Sequence, residues 1–319
     1  MSRDPTCLEK FHILLVEDSQ SDASLFEKSL SKVAANNFEI QRVENLRSAL
    51  RVLGENEFNI VFLDLSLPDT TGFNGLLSIQ NMAPKLPVVI LTANEDENLA
   101  LAAVGQGAQD YLFKDKADGL TIRRAMRYAI QRKNLEELLI TRAYFDPLTG
   151  LANRALFENR LSVILARKSR SGDGVGILFL DLNRFKQVND VFGHAMGDQL
   201  LKNVAQRLQK SVRAYDTVAR FGGDEFALLF DGIKQAGDCA KIAQKIIQKI
   251  SRPYVISNQT LDIGVSIGIA LCLKDESNTC EILLKQADEA MYAAKQSEQS
   301  DYEFYVKCLK EAVLPLTYS

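Results

Sequence analysis

The chain has 319 residues, enough for two domains of roughly 150 residues each, and either half can bury a core without disulfides or a structural metal. Hydrophobic residues at 46% and charged residues at 25% are ordinary for a globular protein, and a net charge of −3 argues against a general nucleic-acid binder. Two histidines, His12 and His194, and five unpatterned cysteines speak against a zinc site or a disulfide framework and fit a reducing cytoplasm.

The charged first ten residues have no apolar core and do not read as a signal peptide. Apolar runs such as 13–16 and 88–91 are too short to span a bilayer. The expectation is a cytoplasmic protein with no membrane or nucleic-acid partner. Before residue 140 the chain carries 15 basic against 20 acidic side chains, and after it 23 against 21. This small split points to the second half for an anionic substrate.

Residues 11–16 read as a short buried strand, and Ala23, Phe26, Leu30 and Val33 follow at helical spacing. The cycle repeats with strands near 38–43, 58–65, 87–92 and 109–113, and helices near 45–54, 73–82, 95–105 and from 119. Five short β-rich runs alternating with helices predict an α/β domain, a (βα)5 doubly wound parallel sheet. Ligands bind such sheets outside the carboxyl ends of the strands. Glu17 and Asp18, Asp64, Thr92 and Lys114 stand at those ends. Any one of them alone is a solvated strand terminus; together, on one rim, they read as a site. Glu17 and Asp18 suit a hard divalent cation, Mg²⁺, bridged to Asp64 and an incoming phosphoryl group. Asp64 is then the nucleophile of aspartyl-phosphate chemistry, with Lys114 and Thr92 on the phosphoryl oxygens.

The text around these positions reads Leu-Val-Glu17-Asp18-Ser, Val-Phe-Leu-Asp64-Leu-Ser-Leu-Pro-Asp, Ile-Leu-Thr92-Ala and Asp-Tyr111-Leu-Phe-Lys114. With it, residues 10–133 resemble a response-regulator receiver domain. The resemblance implies phosphorylation of Asp64 by a histidine kinase, and a switch of Thr92 and Tyr111 that reports the phosphate. Asp115 departs from the pattern, because many receivers carry a proline there.

From Gly119 to Asp146-Pro147 there is no helix stop, and Leu135, Leu138 and Leu139 fall on one face. Residues 120–130 are expected to pack on their own sheet. The later stripe, in a helical linker over 134–143, is expected to pair with a second copy as a homodimer.

In the second half, residues 175–182 read as a buried strand that runs into Asp181, followed by a long helix over about 196–211. Then comes a hairpin, 217–221 and 226–230, with Gly222-Gly223-Asp224-Glu225 as its turn. Glycines there permit positive φ and close approach to the backbone. The turn alone is a solvated hairpin. Beside the strand that ends in Asp181, however, it brings Asp181 and Asp224 together as an oxygen site for Mg²⁺, completed by phosphate oxygens.

The surrounding text is Asp146-Pro-Leu-Thr-Gly-Leu-Ala-Asn-Arg154, Asp181-Leu-Asn-Arg-Phe-Lys186-Gln-Val-Asn189-Asp, Gly-His-Ala-Met-Gly-Asp198, Arg-Phe-Gly222-Gly223-Asp224-Glu225-Phe226, Ser266-Ile-Gly-Ile-Ala and Ala287-Asp288-Glu-Ala-Met-Tyr-Ala-Ala-Lys295. It resembles the GGDEF domain, the diguanylate cyclase family, over about 141–307. The resemblance implies an α+β, polymerase-like βαββαβ palm that condenses two GTP into cyclic di-GMP and two pyrophosphates. It assigns Asp181, the carbonyl of Leu182 and Asp224 to Mg²⁺, with Mn²⁺ as the alternative. Glu225 becomes a further ligand or the base. Gly222, Gly223 and Lys295 hold the triphosphate, Lys186 belongs to the GTP site, and Asn189 and Asp198 read the guanine edge. Arg213 and Asp216, as Arg-x-x-Asp, match the family's product-inhibition site. One domain holds one GTP, so ring closure implies a dimer.

Two positions depart from the family text. Glu298-Gln299-Ser300 stands where Gly-Arg-Asn is common, which is expected to weaken GTP binding, and Asn183 replaces an acid. The expected organisation is a receiver at 10–133, the linker at 134–143 and a cyclase domain at 144–307. A catalytically weakened domain that binds cyclic di-GMP or GTP is the alternative. A longer protein with a phosphodiesterase domain is a third reading, for which 308–319 carries no motif. No basic helix-turn-helix supports a DNA-binding output.

Overall fold

Strands apolar on both faces, alternating with amphipathic helices, organise the first part of the chain in the computed structural model, which describes residues 11–34, 38–93, 97–171, 174–273, 278–296 and 301–305. The chain divides into two units, Met1–Leu139 and Ile140–Ser319.

The first unit runs β1 (Phe11–Val16), α1 (Gln20–Ala34), β2 (Phe38–Val43), α2 (Leu46–Glu55), β3 (Ile60–Asp64), α3 (Asn74–Met82), β4 (Val88–Thr92), α4 (Glu97–Gly105) and β5 (Asp110–Phe113). A 3-10 turn at Lys114–Lys116 leads into α5 (Gly119–Tyr144). All five strands are parallel, in the order β2-β1-β3-β4-β5. This is the doubly wound sheet expected from the alternation. Leu14, Val16, Val61, Leu63, Val88 and Ile90 pack on one face. On the other, Ile13, Leu15, Phe62 and Leu91 meet Phe26 and Leu30 of α1 and Ile122 and Met126 of α5. Each such side chain contributes about 1.5–3 kcal/mol by leaving water. The order places the ends of β1 and β3 side by side, and that rim carries the acidic residues.

The second unit runs α6 (Arg154–Ser171), β6 (Gly174–Asn183), α7 (Phe185–Phe192), α8 (His194–Gln209), β7 (Thr217–Gly222), β8 (Glu225–Ile233) and α9 (Ala236–Ile250). A small ribbon follows, β9 (Tyr254–Ile256) and β10 (Gln259–Leu261), then β11 (Gly264–Cys272), α10 (Cys280–Lys295) and β12 (Asp301–Phe304). The main sheet has the order β12-β11-β6-β8-β7, antiparallel except for β11 with β12. Its β6-α-β7-β8-α9-β11 core is the βαββαβ arrangement of the expected palm. The long helix expected over about 196–211 is α8, and a short helix not anticipated from the sequence, α7, precedes it. They part at Gly193, whose φ of 82° is open to glycine at little cost. No helix among the described residues is long and apolar enough to cross a membrane.

Candidate functional sites

In the first unit the site is built by the loop after β1, the end of β3 and the turn after β5. Glu17 is 1% exposed and Asp64 2%. Carboxylate oxygens of Glu17, Asp18 and Asp64 lie within 4.8 Å of one another. Lys114 reaches into this group, its Nζ 2.6 Å from Glu17, 2.8 Å from Asp64 and 3.1 Å from Asp22. Burial pushes the Glu17 carboxyl up, and the Asp64 charge adds to that against the pull of Lys114. Burial would lower the Lys114 ammonium, but Asp64 and Glu17 carry it above the ordinary lysine value. Three carboxylates therefore pair with one ammonium, and Asp18 adds a fourth beside Glu17 and Asp64. Buried charge of one sign is costly without compensation, and oxygen donors in this number fit a hard divalent cation.

Thr92 ends β4 and is 5% exposed. Tyr111, on β5, is half-buried with its ring 5.5 Å from that of Phe113. Asp115 is exposed in the 3-10 turn. Asp22 was not expected, since nothing in the local pattern ties the first turn of α1 to a lysine 92 positions away.

In the second unit, Asp181 of β6 lies directly opposite Glu225 of β8, so both side chains leave the same face of the sheet. The hairpin is tighter than the four-residue turn expected, for Gly222 already pairs with Glu225 and only Gly223 and Asp224 remain in the loop. Gly222 and Gly223 have φ of 154° and 49°, a conformation that glycine adopts freely. The Leu182 N–H donates to the Asp224 carbonyl at 3.3 Å.

Asp181 is 6% exposed. Its Oδ2 accepts from Lys295 Nζ at 2.8 Å, while its Oδ1 is buried with no hydrogen-bond partner. Burial and the Asp181 charge push the Asp224 carboxyl up. Burial, then Asp181, Asp288 and Asp224, do the same to Glu225. Lys295 is raised despite its partial burial, by Asp181 first. Among the described residues only Glu17, Asp18 and Asp64 gather within 4.8 Å as a trio; Asp181, Asp224 and Glu225 stand further apart. An orphaned buried Asp181 oxygen beside two carboxylates that resist ionisation nevertheless fits a cation.

The loop from β6 to α7 holds Arg184 at φ 68°, a left-handed conformation of the kind concentrated at functional sites. A cavity of about 640 Å³ opens there, lined by Arg184, Lys186, Asp224 and Lys295 among others. Asn189 Oδ1 is buried and unpaired. A Cβ at residue 197 would lie 1.9 Å from it, so Gly197 makes room for that amide. Asp198, the next residue, is exposed. Asn183 accepts from Ser266 Oγ at 3.0 Å.

Arg220 is an unassigned part of the site. Its Nη1 donates to both carboxylate oxygens of Asp146 at 3.0 Å, and its Nε and Nη2 donate to the Gly223 carbonyl at 3.0 and 2.8 Å. The guanidinium fork thus ties the glycine turn to the residues just after α5. Burial opposes the ionisation of Asp146, but Thr149 and Arg220 hold its carboxyl below the usual range.

Arg213 and Asp216 form a turn after α8. Asp216 accepts from the Arg213 N–H at 2.8 Å, and the Arg213 guanidinium donates to the Tyr215 hydroxyl at 2.6 Å. Both line a cavity of about 280 Å³ with Arg160. Glu298-Gln299-Ser300 lies outside the described residues.

A parallel five-stranded sheet with an acidic rim, followed by a palm with a glycine hairpin at its carboxylates, defines a class. Residues 13–126 match the response regulator receiver domain, and residues 143–301 match the diguanylate cyclase GGDEF domain. The chain carries a response-regulator receiver domain followed by a GGDEF domain. Over 177 residues it is 43% identical to the bifunctional diguanylate cyclase/cyclic di-GMP phosphodiesterase MucR of Pseudomonas aeruginosa, covering 56% of this chain and 25% of that protein. Over 295 residues it is 29% identical to the response regulator PleD of Caulobacter vibrioides, covering 89% and 64%. A crystal structure of the coiled coil and GGDEF domain of DgcB from Caulobacter crescentus, in complex with c-di-GMP, aligns with a TM-score of 0.51 at 29% identity, covering 59% of this chain and 100% of that one. The chain thus spans about a quarter of the first relative and under two thirds of the second.

Proposed function

We propose that this protein is a diguanylate cyclase controlled by phosphorylation of its receiver, acting in the cytoplasm as a homodimer. The observation that carries the reading is the Asp181–Asp224–Glu225 arrangement at the glycine turn, with one buried Asp181 oxygen unpaired. In the reaction, the 3′-oxygen of each GTP bonds to the α-phosphorus of the other, and each α–β phosphoanhydride bond breaks to release pyrophosphate. Glu225, held above the usual carboxylate range by burial and its acidic neighbours, is placed to take a 3′-hydroxyl proton. Asp181, Asp224 and the Leu182 carbonyl would hold Mg²⁺ or Mn²⁺, which supplies activation of the attacking oxygen and charge neutralisation at the leaving group. Gly222, Gly223, Lys186 and Lys295 bind the triphosphate, Lys295 as a point charge. Asn189, with its unpaired amide oxygen, and Asp198 read guanine.

In the receiver, Asp64 accepts a phosphoryl group from a histidine kinase, Glu17 and Asp18 hold the accompanying Mg²⁺, and Lys114, Thr92 and Tyr111 form the switch. Cyclic di-GMP returns to Arg213 and Asp216 as inhibitor. The test is to incubate the full chain with GTP and Mg²⁺, with and without beryllofluoride, and to look for cyclic di-GMP. Product is expected, increased by beryllofluoride and abolished in Asp224→Asn. Product binding without any synthesis in either condition would overturn the enzyme reading in favour of a binding protein. Inhibition by added cyclic di-GMP is expected to be lost in Arg213→Ala.

A further inference from the structure

The acidic loop of the first unit is braced from the edge of its sheet by one arginine. Arg42, on β2, has a side chain only 16% exposed. Its Nε donates to the Glu17 carbonyl at 3.0 Å and its Nη2 to the Asp18 carbonyl at 2.9 Å. The remaining Nη1 donates to the side chain of Gln20, the first residue of α1. From the same strand, the Glu17 N–H donates to the Val43 carbonyl at 2.9 Å, extending the β1–β2 ladder by one residue. The Ser19 N–H donates to Glu17 Oε1 at 3.1 Å. Two successive carbonyls are therefore held on the edge side of the loop by one planar fork, a geometry that a lysine ammonium cannot reproduce.

We propose that Arg42 is a positioning residue for the receiver's cation site: it fixes the main chain from which Glu17 and Asp18 approach Asp64, without itself touching the cation. The inference rests on the receiver reading above. Glu17, Asp18 and Asp64 repel one another, and a loop free to relax would carry the first two away from the third. Arg42 holds the main chain against that relaxation before the cation arrives. Supporting groups behind the ligands of a metal site are worth about 10–100-fold in affinity.

The experiment is a calorimetric Mg²⁺ titration of the full chain in an Asp224→Asn background, which removes a carboxylate from the second unit's site. It is joined to phosphorylation by acetyl phosphate as a function of Mg²⁺. Arg42→Ala is expected to weaken Mg²⁺ binding about tenfold. At saturating Mg²⁺ its phosphorylation rate is expected to stay within about twofold of the parent, since Arg42 contacts no reacting group. Arg42→Lys, which keeps one donor, should fall between. An unchanged dissociation constant in Arg42→Ala overturns the proposal, as does a rate loss at saturating Mg²⁺ with affinity unchanged. If circular dichroism shows Arg42→Ala unfolded, an unchanged constant in Arg42→Lys overturns it equally. Failure of the receiver reading looks different: the parent chain would take up no phosphoryl group, or Asp64→Asn would take it up as well as the parent.

Discussion

At the scale of single residues, both sites store like charge that the fold alone does not neutralise. Burial and neighbouring acids raise Glu17, Asp224 and Glu225. A carboxyl raised in the folded state binds its proton more tightly there than when unfolded, so it costs stability at neutral pH. That cost is relieved as pH falls through the raised values. A divalent cation competes with the same protons and relieves the same repulsion. Mg²⁺ is therefore expected to raise the melting temperature more at about pH 7.5 than at about pH 5. Thermal scans with and without Mg²⁺ at the two pH values check this, and an equal shift at both would contradict it. Asp146 has the opposite sign: with its carboxyl held low by Thr149 and Arg220, it stabilises the fold above its unfolded value and loses that contribution as pH falls through the folded one.

At the scale of elements, the placement of the chemistry depends on close approaches that no local pattern records. Among the described glycines of the second unit, the tightest approach to backbone is β11 against α10, where a Cβ on Gly268 would stand 2.0 Å from the Ala287 carbonyl and 2.2 Å from the Met291 nitrogen. These are backbone atoms, so the helix itself must shift. Helix α10 ends in Lys295, the partner of Asp181. Gly268→Ala is expected to destabilise the second unit by about 1–3 kcal/mol or more and to weaken GTP binding. Gly237→Ala, in α9 where a Cβ meets nothing within 4 Å, should instead gain up to about 1 kcal/mol. Urea unfolding of the two variants distinguishes them, and equal stability would refute the packing argument. The same contrast explains what the sequence made legible. The inner strands β3 and β4 of the first sheet announced themselves because burial on both faces leaves continuous apolar runs. Helix α9 carries a signal of the same kind, Cys239, Ala243, Ile246 and Ile250 at helical spacing behind a Gln235–Asp238 capping box. The carboxylates could be picked out because they sit at strand ends and in a glycine turn. Two of their pairings could not. Lys295 meets Asp181 across 114 positions and Arg220 meets Asp146 across 74, and only the tertiary fold brings such residues together.

At the scale of the whole molecule, one set of Asp181, Asp224 and Glu225 per chain has to serve a reaction between two nucleotides. Catalysis on the proposed reading thus depends on the concentration of paired chains. The surface that would pair them is the later part of α5, where Leu135, Leu138 and Leu139 are 59%, 44% and 66% exposed. Three leucines at this spacing form a seam when matched by a second copy. Replacing Leu138 by Glu puts a charge into that seam at a cost of about 2 kcal/mol, which weakens association about thirtyfold. Sedimentation should show the parent chain dimerising, more readily with beryllofluoride, and Leu138→Glu remaining monomeric at the same concentration. Cyclic di-GMP synthesis per chain should fall in step and return as the variant is concentrated. Asp64→Asn should dimerise as the unmodified parent does but ignore beryllofluoride. A Leu138→Glu chain that is monomeric yet fully active would break the link between pairing and synthesis. A parent chain monomeric at every concentration, with and without beryllofluoride, would remove α5 as the pairing element.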